Sequence, residues 1–193
     1  CRAQLIQEEM TMVPMLGLRR WLTSVVAVFM LVACASYSGR GLVPGQSMLP
    51  DIIATMGEPA MRWKESDGRV QLAYPRGPAG VHTFMVFIAA DGRLEGIRQV
   101  LDMSHFARIE SGKSMQSDVL RLLGPSDSNG TAYFAARNEL VWEWRFCDSW
   151  NQVARFAILF DATTGVVRST LQQPELSGWD GVAPACGHWY GNF

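Results

Sequence analysis

The sequence predicts an α+β protein made of two tandem modules, each a helix followed by a three-stranded antiparallel sheet. Three observations carry this. First, the stretch Gly45-Gln-Ser47-Met48-Leu-Pro-Asp51-Ile52-Ile53-Ala-Thr-Met56-Gly57 recurs without a gap as Gly112-Lys-Ser114-Met115-Gln-Ser-Asp118-Val119-Leu120-Arg-Leu-Leu123-Gly124. Repetition at a fixed offset is the mark of a duplicated structural unit. Second, each copy is followed by apolar runs of strand length. Third, each set of runs contains a glycine turn, Asp91-Gly92 in one copy and Asp161 to Gly165 in the other, of the kind that joins antiparallel strands.

Taken in order, residues 1–14 read as a mis-set start, with Met15 the better initiator, and residues 15–33 as a secretory signal. Arg19 and Arg20 form its charged region. The apolar run from Leu22 to Val32, broken only by Thr23 and Ser24, is its core, and Ala33 is the small residue before the cut. That run is too short to cross a bilayer, which takes about 20 apolar residues. Residues 34–41 are a linker, 42–103 the first module, 104–176 the second and 177–193 a C-terminal tail.

In each module the apolar residues at 48, 52, 53 and 56, and at 115, 119, 120 and 123, share one helix face. Ser47 and Ser114 are placed to cap the helix starts, Asp51 and Asp118 suit the first turn, and Gly57 and Gly124 stop each helix, with Pro59 and Pro125 beyond. The strands then correspond as Gln71-Leu72-Ala73-Tyr74 with Val141-Trp142-Glu143-Trp144, and as Phe84–Ile88 with Ala157–Asp161. A third strand follows each turn glycine, near residues 93–100 and 166–171. A module of about 60 residues is marginal alone, so a shared core between the copies is expected. The middle strands are apolar on both faces, which requires a second cover, supplied by the other copy, by the tail or by a partner.

Charge and motifs narrow the function. Of 17 basic and 18 acidic residues, three and two precede Cys34, so the remainder is near net −2 with no basic stripe, and nucleic acid is not an expected partner. Gly112-Lys113-Ser114 lacks the glycine that a phosphate-binding loop requires at 107, where Ala107 stands. His82, His105 and His188 are scattered, the acidic residues are dispersed, Cys186-Gly-His188 has too few ligands for a metal, and no GxSxG occurs. The reading is therefore non-enzymatic, with no cofactor or metal. With Cys1 in the excluded start and Cys34 set aside, Cys147 and Cys186 remain. They are either a disulfide closing a loop of about 40 residues, which the chain-entropy model values at roughly 4 kcal/mol, or two buried thiols. Alternation puts Trp142, Trp144 and Phe146 on one strand face, either as a protein-binding surface or as core over the helix.

Leu31-Val32-Ala33-Cys34 resembles the bacterial lipobox, in which the cysteine thiol is alkylated by a diacylglycerol before cleavage; Cys34 is then the lipid attachment site, and multiple chains hold such a protein at a membrane. Ala35 rather than an aspartate favours the outer membrane. The glycine-x-serine start, the acidic-aliphatic pair, the glycine-proline stop, the aromatic strand and the strand-turn-strand end resemble the SmpA/OmlA (BamE-like) lipoproteins, most closely over residues 109–171. The resemblance implies an α+β fold and a periplasm-facing outer-membrane location. It also implies a non-catalytic role in outer-membrane protein assembly or envelope integrity, with partners such as the β-barrel assembly machinery. Family members are usually one module; this chain has two. β-Lactamase inhibitory proteins are similar in using tandem helix-plus-sheet repeats, which sets a periplasmic ligand-binding or enzyme-inhibitory module as the second expectation.

Overall fold

The computed structural model describes residues 38–75, 80–176 and 185–186. Its first module runs α1 (Leu49–Met56), β1 (Met61–Lys64), β2 (Val70–Pro75), β3 (Thr83–Ile88) and β4 (Leu94–Gln99). The second runs α2 (Met103–Phe106), α3 (Gln116–Leu123), β5 (Ala132–Phe134), β6 (Glu139–Cys147), β7 (Val153–Asp161) and β8 (Val167–Pro174). Each module is a helix-bearing, four-stranded antiparallel meander, in the orders β1-β2-β3-β4 and β5-β6-β7-β8.

The α+β class stands, but the two antiparallel sheets have four strands each rather than three. The additional ones, β1 and β5, are outer strands of four and three residues, and β5 is exposed throughout. β1 alternates half-buried Met61 and Trp63 with exposed Arg62 and Lys64, but over only four residues, and β5 has no buried side chain.

The duplication holds at the level of single hydrogen bonds. Gly45 N–H donates to Leu94 O and Gly112 N–H to Val167 O, both at 2.8 Å; Leu94 N–H donates to Ser47 O and Val167 N–H to Ser114 O, again both at 2.8 Å. The segment leading into each helix is thus hung on the start of the last strand, and the first helical residues, Leu49 and Gln116, donate to Gly92 O and Gly165 O of the preceding turns. The caps differ from expectation. Met48 and Met115 are the N-cap residues, and the Asp51 and Asp118 carboxylates accept from their N–H groups at 2.8 Å. Ser47 and Ser114 sit one place earlier, where each hydroxyl accepts from the N–H four residues back, of Val43 at 2.9 Å and Glu110 at 3.0 Å. A methionine can cap because the carboxylate in the first turn satisfies the orphan donor in its place.

Registers also correct the strand correspondence. A bulge between Phe87 and Ile88 and another between Leu159 and Phe160 make Phe156, Ile158 and Phe160 the counterparts of Phe84, Val86 and Ile88, one residue earlier than the gapless match. The second turn is a residue longer, which the sequence match absorbs unseen.

Two cores result. Ile52 and Met56 of α1 pack on Leu72, Tyr74, Phe84, Val86, Ile88 and Leu94. Val119 and Leu123 of α3, with Phe106 of α2, pack on the corresponding face of the second sheet, including Trp144, Phe146, Phe156 and Phe160. Each helix is also tied by its end to its sheet: Tyr74 Oη donates to Gly57 O and Trp144 Nε1 to Pro125 O, both at 3.1 Å. The second face of the first sheet, with Ala73, Met85 and Val100 buried, receives the C-terminal end of α3. There Gln71 Nε2 donates to Arg121 O at 2.6 Å, Arg121 pairs with Glu65, and its guanidinium lies 5.4 Å from the Trp63 ring centroid. The copies therefore meet face to helix end, and for the first sheet the second cover is the other copy.

Candidate functional site

Cys34 lies outside the described residues, as does most of the tail. Cys147 and Cys186 are joined by a disulfide with Cα atoms 6.0 Å apart. The bond sits in a small apolar cluster of Val81, Val153 and Cys186, so it fastens a tail residue where the β2–β3 connection of the first module meets the start of β7. Gln152 pairs with Ala185, and Cys186 N–H donates to Asn151 O at 2.9 Å.

Trp142, Trp144 and Phe146 do share one face of β6, but that face is core. Trp144 and Phe146 are 3% and 0% exposed, and Trp142 is half-buried with its ring 4.8 Å from that of Phe160. Phe106 stacks on Phe156 at 3.9 Å and meets Phe146 edge-on at 4.9 Å. The proposed docking surface is thus corrected: helix α3 and α2 already occupy it.

The opposite face of the second sheet carries charge. Arg145 forms a two-pronged pair with Glu175 at 2.6 and 2.8 Å, Arg155 reaches Glu175 at 3.2 Å, and Arg155 reaches Glu143 at 2.7 Å. Burial pushes the Glu175 carboxyl up, but Arg145 and then Arg155 outweigh it and hold the group below its usual range. At the turn into β8, the backbone N–H of Thr164 and then the Arg168 guanidinium bring Asp161 down to about 2. In the first sheet the corresponding positions are Ala73, Pro75 and Thr83, and there the face is covered. Charge thus replaces the missing neighbour.

The seam between the copies encloses a cleft of about 430 Å³. Met85, Phe87, Val100 and Leu122 give it an apolar floor, while Arg98, Arg108 and Arg121 stand around it with His105, Asp118 and Gln71. Both copies contribute, so the cleft exists only in the tandem arrangement. Sequence reading missed it because its arginines come from β4, the segment after α2, and α3, with no local pattern to link them. His105 Nδ1 is held by Asp102 at 2.9 Å, which fixes the ring beside the cleft. His82 lies elsewhere, stacked on Phe84 at 5.9 Å, where burial lowers its imidazole below the usual value. Lys113 pairs with Glu110, and Ser114 braces its turn, so Gly112-Lys113-Ser114 serves the helix start. Among the described residues no group of three or more His, Cys, Asp or Glu could hold a metal ion, and no helix is long and apolar enough to cross a membrane. Set against protein-family models, curated proteins and solved structures, the chain matches none.

Proposed function

We propose that this chain is a non-catalytic lipoprotein of the outer membrane, anchored through Cys34 and facing the periplasm, which supports outer-membrane protein assembly or envelope integrity by protein contacts. The observation that carries the reading is the run Arg19-Arg20, apolar core and Leu31-Val32-Ala33-Cys34, placed ahead of two modules whose helix and last three strands resemble SmpA/OmlA lipoproteins. In that setting a disulfide is chemically at home, since such bonds persist in oxidising compartments. The polar side chains with defined partners act as helix caps, turn braces and ion pairs, in keeping with a scaffold.

Mass spectrometry of the protein from its own membranes tests the anchor. The expected product begins at Cys34 and carries a diacylglyceryl thioether; a retained leader, or a free product with an unmodified thiol, overturns the reading. Mild crosslinking before detergent extraction tests the role, with barrel-assembly components as the expected catch. The seam cleft favours a second reading, a ligand-binding or enzyme-inhibitory module, and recovery of a soluble periplasmic enzyme instead would support it.

A further inference from the structure

We propose that the seam cleft is a docking site for an extended peptide in which carboxylate side chains flank an apolar one. The occupant is chosen by three features of the lining. Its arginines outnumber its acids three to one, and they are not equivalent. Arg121 is engaged by Glu65 and Trp63, but Arg98 rests on the Phe87 ring at 5.3 Å, and neither Arg98 nor Arg108 has a carboxylate partner among the described residues. Both are exposed, so their guanidinium groups are available for two-pronged binding of carboxylates. Asp118, the single acid, has one oxygen occupied by Met115 N–H.

The floor supplies the apolar contact, since Met85 and Val100 are buried while Phe87 and Leu122 are half-exposed. Gln71 decides between a peptide and another anion. It is only 8% exposed, and its Nε2 is spent on Arg121 O, which fixes the amide orientation. Its Oε1 is then a buried acceptor without a hydrogen-bond partner among the described residues. A buried acceptor calls for a donor. A peptide brings backbone N–H groups along with its carboxylates and an apolar side chain for the floor, whereas an ionised fatty acid brings no donor and inorganic phosphate no apolar group. The volume, about 430 Å³, is in the range of sites that hold a few side chains.

The inference deepens the reading of the chain as a contact-making module. Its test does not depend on membrane attachment, so the two can fail separately. The full chain is titrated, by fluorescence anisotropy, against a labelled pool of end-blocked hexapeptides with Asp or Glu on either side of one apolar position. The controls are the same pool with Asn and Gln, the same pool with N-methylated backbone, and laurate as competitor. Saturable binding is expected for the acidic pool, weakened about tenfold by Arg98→Ala or by Arg108→Ala and largely kept by Arg98→Lys. The amide pool and the N-methylated pool should each bind about tenfold more weakly. Both arginines are exposed, and unchanged circular dichroism and thermal unfolding of the variants confirm that the fold is intact. Equal binding of acidic and amide pools, displacement by laurate at equal concentration, indifference to both alanine variants, or no saturable binding up to about 1 mM each overturns the assignment.

Discussion

At the scale of single residues, burial separates the aromatics that sequence alternation groups together. Phe146 is fully enclosed by Phe106 and the second-module core, whereas Trp142 is partly open. Phe146→Ala should cost about 3–5 kcal/mol in denaturant unfolding, through lost transfer energy and the cavity left behind, and Trp142→Ala distinctly less. Titration adds a second expectation. Burial keeps the His82 imidazole neutral below its ordinary 6.5, so the unfolded chain takes up a proton before the folded one does. The stability tied to His82 is fully present above pH 6.5 and is lost as pH falls through the lower folded value. Thermal unfolding between pH 7.5 and 5 should show this decline, and His82→Phe should flatten it. Glu175 behaves in the same direction further down: its contribution is complete above its ordinary 4.5 and fades as pH falls toward its depressed folded value. Arginines 98 and 108 were invisible as a pair in the sequence, because nothing in a linear chain marks residues that only an interface brings together.

At the scale of elements, the repeat was legible because its residues do local jobs. The glycine, aspartate and apolar spacing of residues 45–57 and 112–124 encode a helix with its own start and stop, and both helices form there. What was not legible is which atom does each job, since Ser47 and Met48 are both within reach of the helix start and only geometry separates them. The two outer strands escaped notice because β5 is three exposed residues without a pattern, and the alternation in β1 spans only four residues, the lower limit of a legible strand signal. The paired glycines offer a test that separates local strain from packing. Gly57 and Gly124 have nearly the same backbone, φ +81° with ψ −170° and φ +76° with ψ −174°, a region that side chains disfavour. A Cβ on Gly57 meets nothing within 4 Å, whereas one on Gly124 comes within 3.0 Å of Thr83 Cγ2 and 3.4 Å of Met85 Cε. Gly57→Ala should cost about 1–3 kcal/mol from strain alone. Gly124→Ala should cost more, and the excess should shrink in a Thr83→Ser background, as read by equilibrium unfolding.

At the scale of the whole molecule, two-faced apolarity in the middle strands signalled a second cover, which the other copy supplies for the first sheet but not for the second, whose outer face carries ion pairs instead. It did not show how, and the contact proves to be a helix end on a sheet rather than sheet edges joined. The disulfide acts at this level, because it holds Cys186 against Val81 of one module and Val153 of the other. Reduction of the native protein should lower the unfolding free energy by about 4 kcal/mol in the chain-entropy model for a 39-residue separation. Cys147→Ala/Cys186→Ala should reproduce the loss and make it insensitive to reductant.

Glu143, Arg145, Arg155 and Glu175 decide what the outer face of the second sheet can accept. A helix seated there as α3 sits on the first sheet would take the remaining water from these ion pairs and bring no new counter-charge, a desolvation cost that the apolar face of the first sheet does not carry. The side that joins the copies on the first sheet is, on the second, closed by charge to a neighbour of that kind.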